Sequence, residues 1–421
     1  MDHTKQWYKL DNVAKIFPSS ARGGDTRVFR LTCELKEEID PGLLQEALDQ
    51  VIPGYPHMLC VLRKGFFWYY LDPRDLKPAV SEENIPACSP LYREGCKNLL
   101  FRVNYFHRRI NLEVFHVLAD GTGAFMFFRA LVLRYLSLKH DLQLPAGSFD
   151  DATADDRSSD AFSRFYQPQK QLKQLNEMSS KKAYHLKGTP DENLMPHLVE
   201  GTVSVSRFAR TAREYGTTFG VLITSLYMAA IMEEMSVHDR LKPVVISVPV
   251  NLRKYFPTST ARNFFGVINI SYDPGHDTGE LKDLIAEVAA AFREQLVPEQ
   301  ILRTMNSYAT LEHNPAIQMV PLLFKDLTIR YNNRRAEQGV TTTMSNLGSV
   351  EMPAEVIPYI DRFGAFMTAP SEQLCVVSFQ DRMVFGDCSS FTTHKVMFHF
   401  FRRLTELGIP VELASNDYEV I

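Results

Sequence analysis

The sequence has few cysteines, and none is arranged for a metal or a catalytic dithiol. The six thiols lie at positions 33, 60, 88, 96, 375 and 388 of 421 residues. They contain no CxxC pair and do not alternate with histidines at ligand spacing, which argues against a zinc-finger type of site. Thiols in such a pattern are typical of reducing compartments, so we expect a cytoplasmic protein with mostly buried cysteines.

The sequence also lacks a membrane-spanning run and a secretory signal. The apolar stretch GAFMFFRALVLRYLSL is interrupted by Arg129 and Arg134 and is shorter than the roughly 20 residues that cross a bilayer. The opening MDHTKQWYKLDNVAKIF has no basic-then-apolar pattern. A formal charge of -4 argues against nucleic acid as the main partner. We therefore expect no membrane span and no nucleic-acid partner.

Two kinds of catalytic pattern are missing as well. No GxSxG stretch occurs, which excludes the nucleophile elbow of α/β-hydrolases. No second histidine or carboxylate stands at ligand spacing from the histidine considered below, so no metal site is predicted. A catalytic group has to be sought in a different arrangement.

What is present is a large apolar content, 45%, with 28 Phe and 17 Tyr. A chain of 421 residues is too long for one ordinary core, so two domains are expected. Strand-like and helix-like patterns alternate in both halves, with hairpins between them, which predicts α/β domains with mixed sheets. We assign 1–150 to an N-terminal domain, 151–200 to a polar crossover linker, partly mobile and with one short helix, and 201–421 to a C-terminal domain.

Capping residues indicate where some helices begin and end. Asp40 followed by Pro41 predicts a helix start at Pro41. Asp277 and Glu280, three apart, predict a capping box before the run LKDLIAEVAAAFREQLV. Gly408 is expected to end the last helix.

The candidate chemistry lies in LEVFHVLADGTGAFMFFRALVLRYL, residues 112–136. A strand-like run ends at His116, and Asp120 and Gly121 precede a helix-like run. Buried imidazole and carboxylate groups cost free energy unless each finds a partner. A histidine can accept a proton near neutral pH, a carboxylate is stabilised at a helix N-terminus, and a glycine permits a tight turn. On these residue types alone, a packed histidine beside a helix-capping aspartate is the commoner arrangement.

FHVLADGTG resembles the HxxxDG signature of the chloramphenicol acetyltransferase-like superfamily. That superfamily includes alcohol acetyltransferases, condensation domains of peptide synthesis and plant acyl-CoA-dependent acyltransferases. Further stretches follow in the expected order: VPVNLRKYF, ARNFFGVINI and TTMSNLGSVEMP. WYKLDNVAKIFP and GFFWYYLDP resemble bacterial alcohol acetyltransferase-like proteins. The resemblance implies two similar domains, each a mixed β-sheet with flanking helices, that form a tunnel at their interface.

The resemblance also implies roles for individual residues. His116 matches the general base, and Asp120 matches a structural carboxylate that pairs with an arginine, here Arg253. The candidate catalytic set is His116, Asp120, Gly121 and Arg253, and the candidate substrate-binding set is Asn263, Thr343, Ser345 and Asn346. A surface arginine at 253 and a simple turn at Asn346 and Gly348 remain alternatives on the residues alone.

The implied activity is transfer of an acyl group, acetyl in the first instance, from a coenzyme A thioester to a small alcohol or amine by direct attack. Coenzyme A is then a co-substrate, and no permanently bound cofactor is expected. Two alternatives stay open: an acyl donor carried by a carrier protein, and a silent family member that only binds. Phe115 stands where many members have a second histidine, which weakens the condensation reading. The Asp-Phe-Gly-Trp-Gly element is absent, which removes the plant subgroup.

Two further groups of residues have surface interpretations. The basic cluster Lys325, Arg330, Arg334 and Arg335 could meet coenzyme A phosphates, but a solvated helix end is expected. His394 and His399 are five apart and do not share a helix face, so packing or surface roles are expected.

Overall fold

The computed structural model describes residues 7–21, 23–167, 182–313 and 319–416, and for 307–313 the backbone alone. The strands are β1 Tyr8–Lys9, β2 Val28–Leu35, β3 Cys60–Lys64, β4 Tyr69–Pro73, β5 Val80–Glu82, β6 Phe101–Phe106, β7 Arg109–Phe115, β8 His197–Ser204, β9 Val244–Asn251, β10 Phe265–Tyr272, β11 Thr342–Ser349, β12 Ile360–Met367, β13 Glu372–Phe379, β14 Arg382–Ser389 and β15 Glu412–Ser415. The helices are α1 Phe17–Ser20, α2 Pro41–Val51, α3 Gly121–His140, α4 Ala154–Ser158, α5 Ala161–Phe165, α6 Val205–Glu214, α7 Phe219–Glu233, α8 Leu281–Gln295, α9 Pro298–His313, α10 Leu322–Glu337 and α11 Lys395–Glu406.

The strands form two large sheets and one small sheet. The first large sheet has the order β12-β2-β7-β6-β5, and the second has the order β10-β9-β11-β13-β14-β8-β15. The small sheet, β1-β4-β3, contains the antiparallel hairpin of β3 and β4. Both large sheets are mixed, because β5 pairs in parallel with β6, and β11 pairs in parallel with β9 and β13. This is the mixed α/β layering that the sequence predicts.

One strand of the first sheet comes from the far half of the chain. Strand β12 pairs antiparallel with β2, with Phe363 opposite Cys33. Phe363 is buried and its ring packs edge-on against those of Phe128 and Phe379. The sequence pattern does not reveal this strand. A segment of the range 201–421 therefore completes the sheet built by the range 1–150 and ties the two halves together.

Each large sheet covers its own hydrophobic core. Helices α2 and α3 pack together on the first sheet, while α7 packs between α8 and α11 on the second. Every residue of α7 from Val221 to Met232 is buried, which explains why its sequence is apolar on all sides. Within the described residues no single helix has the length and hydropathy to cross a bilayer, although α6 and α7, bent by 85°, pass that test as a pair.

Two of the predicted helix ends are confirmed and one is wrong. The Asp40 carboxylate accepts hydrogen bonds from two N–H groups in the first turn of α2, at 2.8 and 3.0 Å. Gly408 has a φ of +74°, as a glycine just past a helix end should. The capping box at Glu280 does not form, because Asp277 instead accepts a hydrogen bond from the Tyr272 hydroxyl at 3.0 Å.

The polar range 151–200 contains two short helices, α4 and α5, where one was expected. A capping box between Thr153 and Asp156 starts α4. The expectation of a mobile basic segment falls largely on residues 168–181, outside the described part of the chain. Of the six cysteines, five are buried and only Cys96 is exposed, as expected for reduced structural thiols.

Candidate active site

His116 follows the last residue of β7 and lies where the two large sheets meet. Its side chain is enclosed by aromatic rings, with ring centroids at 4.4 Å for Phe17, 5.2 Å for Phe29 and 5.6 Å for Phe265. Phe17 belongs to α1, Phe29 to the first sheet and Phe265 to the second. Only 8% of the histidine is exposed. The ring is therefore a buried polar group that needs a hydrogen-bond partner.

That partner is Asn263, whose side-chain oxygen lies 3.1 Å from His116 Nδ1. The orientation of the amide is fixed by the backbone, because Asn263 Nδ2 donates to the carbonyls of His116 at 3.0 Å and Val117 at 3.4 Å. Since an amide oxygen only accepts, Nδ1 must carry a proton and donate it to Asn263. In a neutral imidazole this leaves Nε2 without a proton and able to accept one.

Burial lowers the pKa of His116, while hydrogen bonds and the nearby Asp120 carboxylate oppose that shift. The neutral form is therefore favoured at neutral pH. A neutral imidazole with its free electron pair on Nε2 is the state that a general base requires.

Asn263 is itself held on both sides. It is 1% exposed, and its backbone N–H donates to the Asp11 carboxylate at 3.1 Å. Asp11 also forms a buried ion pair with Arg262 at 2.8 Å. Burial raises the pKa of Asp11 to about 7, against the opposing effect of Arg262. Asp11 and Arg262 are not predicted from the sequence, although both lie in stretches that carry the family resemblance.

The Asp120 carboxylate has three donors. Its Oδ1 accepts from the backbone N–H of Gly123 at 2.7 Å and so caps α3. Its Oδ2 accepts from Arg253 Nη1 at 2.8 Å and from the backbone N–H of Phe264 at 2.7 Å. The ion pair that the resemblance implies is therefore present, and both partners are only 7% exposed. These three donors replace the hydrogen bonds to water that the carboxylate loses on burial.

Arg253 in turn holds the loop 260–264. Its Nε donates to the carbonyl of Thr260 at 3.0 Å, and its Nη2 donates to the carbonyl of Arg262 at 2.6 Å. The surface alternative for Arg253 is therefore wrong. Asn263 lies within this loop, so the Asp120–Arg253 ion pair fixes the backbone that presents Asn263 to His116. The turn after His116 and the loop that orients its ring are joined by one buried charge pair.

Two glycines of the sequence ADGTG allow this close approach, for reasons of space. A Cβ at Gly123 would lie 2.0 Å from the carbonyl oxygen of Ala261, a backbone atom that cannot give way. A Cβ at Gly121 would lie 2.8 Å from Leu347 Cδ2, which is the end of a flexible side chain. Gly123 is therefore the stricter requirement, although the HxxxDG pattern draws attention to Gly121.

The predicted substrate-binding residues of β11 lie near the turn that precedes α3 but do not contact His116. Leu347 brings this strand against Gly121. Thr343 and Ser345 are half-buried, and in the described part of the chain no hydrogen bond joins them to His116. Asn346 is exposed and accepts a hydrogen bond from the N–H of Gly348 at 2.9 Å. Gly348 has a φ of +81° and lies inside β11, where the pairing with β13 shifts register between Asn346 and Gly348, so these residues form a β-bulge and the simple turn is wrong.

A cavity of about 550 Å³ opens elsewhere, between the N-terminal segment and the β3–β4 hairpin. Its lining is Trp7, Lys9, Leu10, Lys15, Gly65, Phe66, Phe67, Trp68, Tyr69, Tyr70 and Ser163. His116 is not part of that lining. The tunnel that the resemblance implies at the domain interface stays a prediction.

The basic cluster divides into two parts. Lys325 is buried, with its Nζ 3.4 Å from the centroid of the Trp68 ring, so the solvated interpretation is wrong for this residue. The aromatic side chains of the β3–β4 hairpin cover the aliphatic stem of Lys325 and contact its ammonium group. Arg330, Arg334 and Arg335 are exposed, as expected.

The two histidines near α11, His394 and His399, lie beside carboxylates. His399 lies between Glu233 and Glu234, at 2.6 and 2.8 Å, and His394 lies 3.8 Å from the Asp387 carboxylate. Among the described residues, no group of three metal-ligating side chains is assembled.

Comparison with solved structures identifies the fold of this chain. No protein-family model and no curated sequence matches the chain. Similar solved structures include polyketide synthase associated protein 5 from Mycobacterium tuberculosis, with a TM-score of 0.62, 14% identity and coverage of 95% of this chain and 96% of that one. The first condensation domain of the CDA synthetase has a TM-score of 0.62, 14% identity and coverage of 96% and 97%. F. graminearum TRI101, complexed with coenzyme A and T-2 mycotoxin, has a TM-score of 0.65, 10% identity and coverage of 96% and 99%.

The chain has the two-domain α/β fold of these proteins. This confirms the fold class that the sequence predicts, over nearly the whole length of both chains. At such low identity the likeness establishes architecture, and activity has to be argued from the residues at the site.

Proposed function

We propose that the protein is an acyltransferase that moves an acyl group from a thioester, coenzyme A in the first instance, to an alcohol or amine. The observation that carries this proposal is the hydrogen bond from His116 Nδ1 to Asn263, which leaves Nε2 as the proton acceptor. Structures with the same fold include one complexed with coenzyme A and T-2 mycotoxin, which supports a thioester donor.

The proposed reaction needs one proton to move twice. As the acceptor oxygen or nitrogen attacks the thioester carbonyl, its proton passes to Nε2 of His116 and a tetrahedral oxyanion forms. Collapse of the oxyanion breaks the carbon–sulfur bond, and the imidazolium returns the proton to the departing thiolate. Because burial lowers the pKa of His116, the ring is neutral before the attack and gives the proton back readily.

Asp120, Arg253 and Asn263 are positioning residues in this mechanism. Asn263 fixes the tautomer and the plane of the imidazole, and the Asp120–Arg253 pair fixes the loop that carries Asn263. None of the three has to touch the substrate. In the described part of the chain no serine or cysteine is hydrogen-bonded to His116, which favours direct attack over an acyl-enzyme.

We propose that a neighbouring ring moves when substrate approaches Nε2, since only 8% of His116 is exposed. Phe17 is the nearest of the three rings, at 4.4 Å, and lies on the four-residue helix α1. We assign the opening to this segment because a four-residue helix holds its position with fewer hydrogen bonds than the strands that carry Phe29 and Phe265.

The experiment is a thiol-release assay with acetyl-CoA against a panel of alcohols and amines. His116→Ala is expected to lower turnover by about 10²–10⁴-fold, the usual contribution of a general base. The matched control is His276→Ala, since His276 is 86% exposed and remote from the described site. An unchanged rate in His116→Ala would exclude the proposed base.

The same assay distinguishes two alternatives when it is run with a carrier-bound acyl donor as well as with acetyl-CoA. The similarity to a condensation domain favours an acyl donor on a carrier protein, which would give turnover with carrier-bound acyl groups and none with acetyl-CoA. The enclosed state of His116 favours a silent protein that only binds its ligand, which would give turnover with neither donor.

A further inference from the structure

Helix α10 and the tip of the β3–β4 hairpin expose an unusual number of large apolar side chains. We call this set the apolar face: Phe66, Phe67, Met319, Val320, Leu323, Phe324, Leu327 and Tyr331. Phe66 is 73% exposed, Leu323 64% and Phe324 58%. Single exposed apolar residues are normal on a protein surface, but a contiguous set of this size marks an interaction site.

The two parts of the apolar face are joined by hydrogen bonds. The backbone N–H of Leu322 donates to the carbonyl of Phe66 at 2.9 Å, and Lys325 Nζ donates to the carbonyl of Phe67 at 3.1 Å. The Lys325 ammonium also lies over the Trp68 ring. The hairpin tip and the start of α10 therefore form one continuous surface.

The distribution of charged and apolar side chains on α10 is the reverse of that on an ordinary surface helix. Its charged pair, Lys325 and Asp326, is buried, and Asp326 accepts a hydrogen bond from the Tyr69 hydroxyl at 3.1 Å. Leu323, Phe324 and Leu327 point outward instead. A helix that covers a core turns its apolar stripe inward, so the outward stripe of α10 is arranged for contact with another surface.

Exposed arginines continue this outward side. Positions 323, 327, 331 and 334 are spaced by four, four and three residues and so share one side of the helix. Arg330, Arg334 and Arg335 are all exposed. The carboxylates of this region have partners already: Asp326 with Tyr69, Glu337 with Arg27 and Asn333, and Glu94 with Lys64. This surface is therefore apolar at the hairpin and the start of α10, and basic at the three arginines further along the helix.

We propose that this surface docks on an anionic lipid membrane. The apolar face would enter the interfacial layer and the three arginines would contact lipid phosphates, an arrangement that supports peripheral binding. A second copy of the chain fits less well, because a two-fold dimer through this surface would bring two sets of arginines together. The proposal concerns binding to a surface and is independent of the acyltransferase proposal.

The experiment is sedimentation of the full chain with phosphatidylcholine vesicles, with and without phosphatidylglycerol. Binding is expected with the anionic vesicles and should weaken as salt is raised. Leu323→Ser/Phe324→Ser should lower the bound fraction at least about tenfold. Arg334→Gln/Arg335→Gln should weaken binding and flatten the salt dependence.

The matched control is Val237→Ser/Leu241→Ser, at residues that are 89% and 75% exposed outside the apolar face. This variant should bind vesicles like the parent. Since all substituted side chains are exposed, each variant should keep the parental melting temperature, which is measured first.

Three results would overturn the proposal. They are absence of binding to anionic vesicles, equal binding to neutral and anionic vesicles, and a concentration-dependent dimer in analytical ultracentrifugation that Leu323→Ser/Phe324→Ser dissociates. Thiol release by the same samples is recorded separately, so failure of membrane binding does not bear on the proposed acyl transfer.

Discussion

Two buried acidic sites of this molecule have opposite environments. Asp120 accepts hydrogen bonds from two backbone N–H groups and from Arg253. Asp387, in β14, is fully buried, and in the described part of the chain no side chain donates a hydrogen bond to either of its carboxylate oxygens. Burial raises the pKa of Asp387 and of its neighbour Glu372 well above their ordinary values. Asp120 is paired with a guanidinium, whereas burial disfavours the ionised form of Asp387.

The difference shows what a buried charge is used for in this fold. At Asp120 the charge binds Arg253, and Arg253 binds the loop that orients the histidine. At Asp387 no arginine is in hydrogen-bond range in the described structure, and its titratable neighbours are Glu372 and, at 3.8 Å, His394. We therefore expect the first site to be required for function and the second to limit stability.

The largest effect is expected for Asp120→Ala. It leaves the guanidinium of Arg253 buried without its counter-charge, and breaking a buried pair in this way costs about 3–5 kcal/mol. Turnover should fall as well, because the loop 260–264 loses its anchor. The free energy of unfolding is measured by urea denaturation alongside the thiol-release rate.

The matched control for this change is Asp72→Ala. Asp72 pairs with two arginines at the surface, Arg63 and Arg74, and such pairs contribute at most about 1 kcal/mol. If Asp120→Ala unfolded at the same urea concentration as Asp72→Ala, the buried pair would not have the role assigned to it.

Asn263→Ala tests the next contact towards the histidine. Without the amide, Nδ1 loses its acceptor, and turnover should fall about 10–100-fold, a part of the general-base contribution. The hydrogen bond that His116 donates to Asn263 raises the pKa of His116, so its loss should shift the acid limb of kcat/KM to lower pH. A purely structural role would lower the rate without moving that limb.

The sequence predicts the fold well because its signals are local. Alternating patterns, the Asp40 cap and Gly408 each depend on a few neighbouring residues, and the structure contains them. Strand β12 is missed because its pairing with β2 joins residues more than 300 positions apart. The capping box at Glu280 is wrongly predicted for a similar reason. The side chain of Asp277 accepts a hydrogen bond from Tyr272, which belongs to another element.

The candidate site is predictable only as far as the resemblance reaches. The Asp120–Arg253 pair is expected from the family pattern, and the structure contains it. Asn263 was expected to face the substrate, whereas the structure places it on Nδ1 of His116. Asp11 and Gly123 could not be assigned, because their roles depend on the loop 260–264 folding back against both of them.

Gly123→Ala tests that loop contact without removing a charge. The added Cβ would meet a backbone carbonyl, so helix α3 and the loop must separate, at a cost of about 1–3 kcal/mol. Gly121→Ala is the matched control, because Leu347 can rotate away and the cost should stay below about 1 kcal/mol. Thermal unfolding measures both, and equal melting temperatures would contradict the tight contact.

Asp387→Asn should act in the opposite direction and stabilise the protein at neutral pH. The unfolded carboxyl ionises near pH 4, roughly its reference pKa, whereas burial keeps the folded pKa raised. Folding therefore opposes ionisation, and the stability of the parent falls as pH rises above about 4. Asparagine does not ionise, so the variant should gain about 1–2 kcal/mol at pH 7 and little near pH 4.

The groups that face Asp387 determine how this result is interpreted. They are Glu372 on β13, Tyr227 on α7, whose hydroxyl donates to Glu372 at 3.1 Å, and His394 before α11. Asp75→Asn, at an exposed carboxyl, is the control and should show no pH-dependent gain. If Asp387→Asn instead lost stability at pH 7, the carboxylate would be ionised and paired with His394. The two acidic sites would then differ only in whether the partner is an arginine or a histidine.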